Sequence, residues 1–295
     1  MAILIDKSTR IIVQGVTGYE GSLHAGRMLA AGGMVLAGVT PGKGGQNVNR
    51  LPVYGSVAEA VAEHQATASV VFVPAASAPL AILEAADAGL RLIVVVTEGI
   101  PVRDMVQVVA HLAEREVTLI GPNCPGVLTV GQSSAGIMPS KIFRPGPVGV
   151  VSRSGTLSYE IVAGLSRAGI GQTTCVGIGG DPVHGIGFTE CLELFEHDDA
   201  TRVIMLIGEI GGDEEERAAE YIRRNITKPV VAYVAGFALP PARSIGHAGA
   251  IIGAGSGSAG SAGIKASALE SAGVSVARRP AEVATFVKLA LAGGM

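Results

Sequence analysis

The chain is short of cysteine, of charge and of long apolar runs, and each shortage closes off a class of protein. Its three cysteines, Cys124, Cys175 and Cys191, are an odd number with no C-x-x-C pair. That argues against a disulfide framework and a zinc site, and it fits a reducing compartment. No metal is expected on this chain. Charged residues make up 16% of the 295 and hydrophobic ones 48%, a balance that favours a buried core over disorder. Net charge is −3, so the basic excess that nucleic acid or an anionic membrane would require is missing. No apolar run approaches the ~20 residues that cross a bilayer. Residues 1–10 carry Asp6 and Lys7 and lead straight into a strand, so no signal peptide is expected and a cytoplasmic location is. A P-loop lysine motif is absent, and so is a G-x-G-x-x-G fingerprint.

Glycine is abundant, at 42 residues. The glycines cluster beside apolar runs, which suits backbone approaching phosphates more than a flexible polymer. The chain is long enough for two domains, and its pattern is strand, turn, helix, repeated. Residues 11–14, 35–39, 69–73 and 92–96 read as short buried strands rich in Val and Ile, with helices over 20–31, 57–63, 79–88 and 103–114. The rhythm restarts after Pro145. Strands are expected over 148–151, 174–178, 203–207, 230–234 and 274–277, with helices over 157–167, 188–196, 214–224, 264–271 and 281–291. Such alternation makes parallel sheets with right-handed crossovers. The reading is therefore two α/β domains, 1–130 and 147–295, joined through a Gly-, Pro- and Ser-rich stretch over 131–147. Residues 253–263 are all Gly, Ala or Ser and read as a loop.

In the first domain, Gly15-Val16-Thr17-Gly18-Tyr19-Glu20-Gly21 follows the first strand and opens the first helix. Backbone N–H groups and the helix dipole face an anion there. The second strand lacks the acid that would hold a dinucleotide ribose. It runs instead into Thr40-Pro41-Gly42-Lys43-Gly44-Gly45, where Lys43 favours a phosphate-bearing ligand. The plainer alternative is a glycine turn with a solvated lysine. Val96, Thr97 and Glu98 close the fourth strand on the same carboxyl edge. In Gly121-Pro122-Asn123-Cys124, Asn123 can hold a carbonyl oxygen, while Cys124 has no activating partner nearby and reads as a packing residue.

In the second domain, Ser152-Arg153-Ser154-Gly155 joins a strand to a helix expected to begin near Leu157; small hydroxyls and free N–H groups make an anion seat there. His247 stands between small neighbours, Gly246 and Ala248-Gly249, which leave its imidazole uncrowded. Neutral imidazole is nucleophilic near pH 7, and a phosphoryl group is one thing it can accept. A histidine in a tight turn is the plainer reading of that window alone. Glu209, expected directly after a buried strand, can accept Nδ1–H of His247 and leave Nε2 to attack. Asp213 to Glu216 read as four acids complementing a helix dipole and nothing more. His24, His64, His111 and His197 show no metal spacing; His184, in a glycine-rich loop, is the one plausible second histidine.

The motifs GxTGxxG, TPGKGG, TEGIP, GPNCPG, SRSGTL, GIGGDP, GEIGG and GHAGAI occur in this order. By them the chain resembles, end to end, the α subunit of succinate–CoA ligases. The resemblance implies a Rossmann-like CoA-binding domain followed by a flavodoxin-like, parallel-sheet ligase domain. It implies that Thr17, Gly18, Tyr19, Glu20, Lys43, Val96, Thr97, Glu98 and Asn123 hold CoA. Tyr159 would lie at the acid-substrate site, with Ser152, Ser154 and Gly155 around the phosphoryl group. His247 would be the phosphohistidine, with Glu209 its partner. It also implies a β subunit whose ATP-grasp domain carries ATP or GTP and Mg²⁺. The reaction would form succinyl-CoA reversibly through an acyl phosphate, as in the tricarboxylic acid cycle. Malate or another short dicarboxylate is the alternative acid. Two rivals remain at this level: an NAD(P)-dependent dehydrogenase, disfavoured by the missing fingerprint and ribose acid, and a non-catalytic CoA-binding regulator.

Overall fold

A computed structural model describes residues 2–237, 247, 249–250 and 260–293. Parts of the 246–251 window, of the stretch 237–245 and of the expected loop over 253–263 therefore lie outside the described residues. The chain forms two compact units. One comprises Leu4–Ser140 with Val183–Gly185; the other comprises Lys141–Pro182 and Ile186–Met295 with Met1–Ile3.

The first unit is built on β1 (Arg10–Gln14), β2 (Met34–Val39), β3 (Asn47–Val48), β4 (Leu51–Tyr54), β5 (Ala68–Val71), β6 (Leu92–Val95) and β7 (Thr118–Ile120), ordered β3-β4-β2-β1-β5-β6-β7. All pairs are parallel except β3 with β4. Counting without the two-residue β3, the order is the 3-2-1-4-5-6 of a dinucleotide-binding fold. The helices are α1 (Tyr19–Ala30), α2 (Val57–His64), α3 (Ala78–Asp87) and α4 (Val102–Leu112). Helices cover both faces, which is why the central strands are apolar throughout: Ile11, Ile12 and Val13 of β1, and Ile93, Val94 and Val95 of β6, are fully buried. Each such side chain contributes roughly 1.5–3 kcal/mol by leaving water. An antiparallel hairpin, β8 (Gly126–Thr129) with β9 (Ser133–Gly136), ends this stretch of chain.

The second unit carries β10 (Pro145–Ser152), β11 (Gln172–Gly177), β12 (Val203–Glu209), β13 (Val230–Ala235) and β14 (Ser275–Ala277), ordered β14-β13-β12-β10-β11. Pairing along this run is parallel. Numbered within the unit this is the 2-1-3-4-5 order of flavodoxin-like sheets, whose ligands sit at the carboxyl ends of the first and third strands. Those ends are Ser152 and Glu209. The helices are α5 (Gly155–Arg167), α6 (Phe188–Glu196), α7 (Glu214–Asn225), α8 (Ala262–Ser271) and α9 (Val283–Leu291).

Several elements differ from the sequence reading. The short strands β3 and β4 and the β8–β9 hairpin are additional, and β9 occupies part of the stretch read as a plain join. Helix α5 starts at Gly155 rather than near Leu157, because the Ser154 hydroxyl caps it by accepting from the Leu157 N–H at 3.3 Å. Glu209 is the last residue of β12 rather than the first beyond it.

Candidate functional site

At the switch point of the first sheet, a cavity of about 750 Å³ opens at the carboxyl ends of β1, β2 and β5, a size that accepts part of a large ligand. Thr17, Gly18, Tyr19 and Glu20 line it, with Gln14, Val39, Thr40, Phe72 and Val73. The glycine spacing has a steric cause. Gly15 adopts φ +82°, and a Cβ on Gly21 would stand 2.3 Å from the Gly15 carbonyl oxygen. Helix α1 thus presses its first turn onto the strand end. Its N-cap, Gly18, makes no side-chain cap, so no side chain competes for the N–H groups that an anion would take. A phosphate-bearing ligand fits this cradle. Lys43 is exposed, and it is not among the lining residues; nor are Val96, Thr97, Glu98 and Asn123. Thr97 reaches the cavity indirectly, its hydroxyl donating to the Val73 carbonyl at 2.7 Å. The Asn123 N–H donates to the Thr97 carbonyl at 2.9 Å. Cys124 is buried, its thiol donating to the Val95 carbonyl at 3.2 Å. His24 is buried as well, stacked on Phe72 at 5.7 Å.

The second unit brings His247 and Glu209 together. Nδ1 of His247 lies 2.8 and 2.9 Å from the two carboxylate oxygens. The Glu209 side chain is 2% exposed and the ring 25%, so the carboxylate is sealed while the imidazole keeps an open edge. The Glu209 hydrogen bond is the largest influence on the ring and raises its pKa above the ordinary histidine value. Burial opposes it, the Glu209 charge supports it, Arg153 opposes and Asp181 supports. The ring can stand there only because position 180 is glycine: a Cβ on Gly180 would be 2.4 Å from Nδ1. The Gly249 N–H donates to the Gly180 carbonyl at 3.0 Å, and the Ala250 N–H to the His247 carbonyl at 3.1 Å, which fixes the local turn.

Ser152, Ser154 and Gly155 form the link from β10 into α5, but the hydroxyls are already committed. Ser152 Oγ donates to the Ser154 carbonyl at 2.7 Å and accepts from the Ser154 N–H at 3.1 Å, while Ser154 Oγ caps the helix. What this helix start offers an anion is backbone N–H and dipole rather than hydroxyl. Tyr159 sits half-buried in the second turn of α5. His184 belongs to the loop Val183–Gly185 of the first unit, away in the chain from the histidine site.

One sequence reading is corrected. The acids at the start of α7 do more than complement a helix dipole. Glu215 is completely buried and pairs with Arg153 at 3.2 Å and with the fully buried Lys265. Two buried cations demand buried anions, and α7 supplies them. Arg153 and Lys265 escaped sequence reasoning. The signal for Arg153 was its place directly after a buried strand at the switch point; Lys265, set among Ala, Gly and Ser, gave none.

Among the described residues no cluster of three or more His, Cys, Asp or Glu could hold a metal ion, and no helix is long and apolar enough to cross a membrane.

Residues 6–99 match the CoA binding domain family and residues 151–277 match the CoA-ligase family. A nucleotide-type fold with a cavity at its strand ends, matched by the CoA binding domain family, followed by a parallel sheet presenting a carboxylate-backed histidine and matched by the CoA-ligase family, therefore defines a CoA-dependent ligase chain. The chain is 55% identical over 287 residues to the ADP-forming succinate–CoA ligase subunit alpha 2 of Archaeoglobus fulgidus, covering 97% of this chain and 99% of that one. It is 52% identical to the corresponding alpha subunit of Aquifex aeolicus, covering 97% and 94%. It belongs to the family of succinate–CoA ligase α subunits. These relatives are named for succinate, not for the malate that the sequence left open. Among solved structures, an ATP citrate lyase of Methanothrix soehngenii in complex with citrate and coenzyme A superposes with a TM-score of 0.88 at 28% identity. The superposition covers 99% of this chain, and the chain spans about half of that one, 52%.

Proposed function

We propose that this chain is the α subunit of a succinate–CoA ligase in which His247 carries the phosphoryl group. The observation that carries the reading is the His247–Glu209 pair at the switch point of the ligase sheet. Glu209 accepts Nδ1–H and fixes the tautomer, so the lone pair is on Nε2.

In the direction of nucleotide synthesis, inorganic phosphate attacks the succinyl thioester carbonyl, CoA leaves as thiol and succinyl phosphate forms. Nε2 then attacks phosphorus, the P–O bond to the acyl group breaks and succinate leaves. Phospho-His247 finally transfers its phosphoryl group to a nucleoside diphosphate. The start of α5, reached through Ser152 and Ser154 and opening at Gly155, steadies the phosphoryl oxygens with its free backbone N–H groups and its dipole, and Tyr159 flanks the acid. Thr17, Gly18, Tyr19 and Glu20 hold CoA, with Lys43, Val96, Thr97, Glu98 and Asn123 completing that site. The assigned division is CoA binding over 1–130 and phosphoryl chemistry over 147–295. The nucleotide, ATP or GTP, and Mg²⁺ belong to the ATP-grasp domain of a β subunit, and the complex works in the cytoplasm.

The test is phosphate incorporation from labelled ATP by the complex with its β subunit. An acid-labile, base-stable label that disappears in His247→Asn is expected. No label with an active partner present would falsify the ligase reading.

A further inference from the structure

Behind the histidine pair stands a charge network that the reaction scheme does not use. Arg153 follows the last residue of β10 and is buried. Its guanidinium is spread over four groups. Nη1 donates to the Gly211 carbonyl at 3.0 Å and to Glu215 at 3.2 Å. Nη2 stands 3.5 Å from Glu209 Oε1, and Nε 3.8 Å from Glu214. Glu215 in turn accepts the backbone N–H of Glu209 at 3.0 Å, and its other oxygen takes the Lys265 ammonium. Position 208 must be glycine for this, since a Cβ there would be 2.6 Å from Glu215 Oε1. Glu209 is therefore gripped twice, by Glu215 at its backbone and by Arg153 at its carboxylate.

We propose that Arg153 is a positioning residue for histidine phosphorylation: it holds the Glu209 carboxylate in place and offsets part of its charge, so that His247 is oriented with less protonation than the carboxylate alone would impose. This rests on the ligase reading above. A lone buried carboxylate touching an imidazole would stabilise the imidazolium, which has no lone pair to attack with. A guanidinium on the far side of the same carboxylate weakens that effect and leaves the hydrogen bond intact. Lys265 makes the arrangement stable. Without it Glu215 and Glu209, both sealed from water, would share one cation. With it the buried set of Arg153, Lys265, Glu209 and Glu215 is neutral. Among the described residues, the charged groups bearing on His247 are Glu209 from β12, Arg153 from the β10 end and Asp181 from the loop after β11. Glu214, Glu215 and Glu216 of α7 and Lys265 of α8 stand behind them.

The experiment uses the full complex with the β subunit. It follows the rate of His247 phosphorylation from ATP across roughly pH 5.5 to 9, where a histidine titrates. CoA affinity and the melting temperature are measured alongside. In Arg153→Met the acid limb should move up by about one pH unit, because a nearby like charge that disfavours the imidazolium is lost. In a Glu209→Gln background the same substitution should slow phosphorylation by less than half the factor it costs alone, because Arg153 positions the ring through Glu209 while its direct charge effect on the ring persists. A limb in Arg153→Met that coincides with wild type, or an equal loss of rate in both backgrounds, overturns the proposal. Should Arg153→Met not fold, Arg153→Lys decides. Lys keeps the charge but not the fork, so the limb should stay in place while the rate falls about 10-fold with CoA affinity unchanged. A wild-type rate in Arg153→Lys overturns the proposal. Failure of the wild-type protein to become phosphorylated would instead remove the ligase reading on which the proposal stands.

Discussion

Gly180→Ala isolates the geometry of the proposed phosphohistidine with the smallest possible change. The added methyl would sit 2.4 Å from Nδ1 of His247, 2.5 Å from Cγ and 2.9 Å from Cε1. Ordinary contact begins near 3.4 Å, so the ring must retreat by ~1 Å. The neighbour that must give way is an imidazole held by hydrogen bonds rather than the free end of a flexible chain. Retreat stretches the Nδ1 contact of 2.8 Å to Glu209 beyond hydrogen-bonding range. Misplacing a reacting group by about 1 Å costs on the order of 10²-fold in rate, and loss of the tautomer lock acts in the same direction. The expected outcome is a phosphorylation rate lowered about 100-fold in the complex. CoA affinity should be unchanged, because the cradle at Gly15 and Gly21 belongs to the other unit. Rapid-quench labelling of His247, with calorimetric titration of CoA as the control, measures both. Phosphorylation of Gly180→Ala at the wild-type rate would show that ring placement against Glu209 does not govern the chemistry.

Two further outcomes follow from the same coordinates. Gly21→Ala places a methyl 2.3 Å from the Gly15 carbonyl oxygen, so CoA binding should weaken at least about 10-fold by titration while His247 labelling from ATP persists, since the phosphate cradle depends on that close approach. The folded-state pKa of His247 is raised, so the ring's contribution to stability is complete below the unfolded value of about 6.5 and is lost as pH rises through the higher folded value; the melting-temperature gap between wild type and His247→Asn should accordingly be larger at about pH 6 than at about pH 9, and a gap that widens with pH would contradict the pairing.

The fold was legible where burial repeats a simple period. Strands β1, β2, β5, β6, β10, β12 and β13 are rich in Val and Ile and largely buried, and such runs announce themselves. What escaped were elements whose order comes from neighbours. Asn47–Val48 and Leu51–Tyr54 contain Asn and Pro and pair only at the sheet margin. Ser133–Gly136 is small and polar, yet buried, so its composition resembles a linker, and Gly126–Thr129 is short and pairs with it in a hairpin. In each case tertiary context outweighs propensity.

The site divides along a similar line. Glycines beside strand ends mark where backbone must come close, and His247 with Glu209 could be paired by chemistry and strand position alone. The network behind them could not, because a buried salt bridge has no sequence signature distinct from that of a solvated one. The segment Glu214-Glu215-Glu216 reads as acids complementing a helix dipole, and Lys265, set among Ala, Gly and Ser, gives no signal of its own. Only the sheet order, which sets the β10 end beside the β12 end, brings Arg153 against Glu209 and makes Glu215 and Lys265 necessary. A buried carboxylate that must stay ionised to orient a histidine needs a cation. A single cation shared with a second buried carboxylate leaves a net negative charge in a medium that penalises it by several kcal/mol. The second cation is therefore a consequence of using an acid to hold the nucleophile. Its removal from α8 should disturb His247 although Lys265 makes its contacts with Glu215 and Glu216, not with the ring.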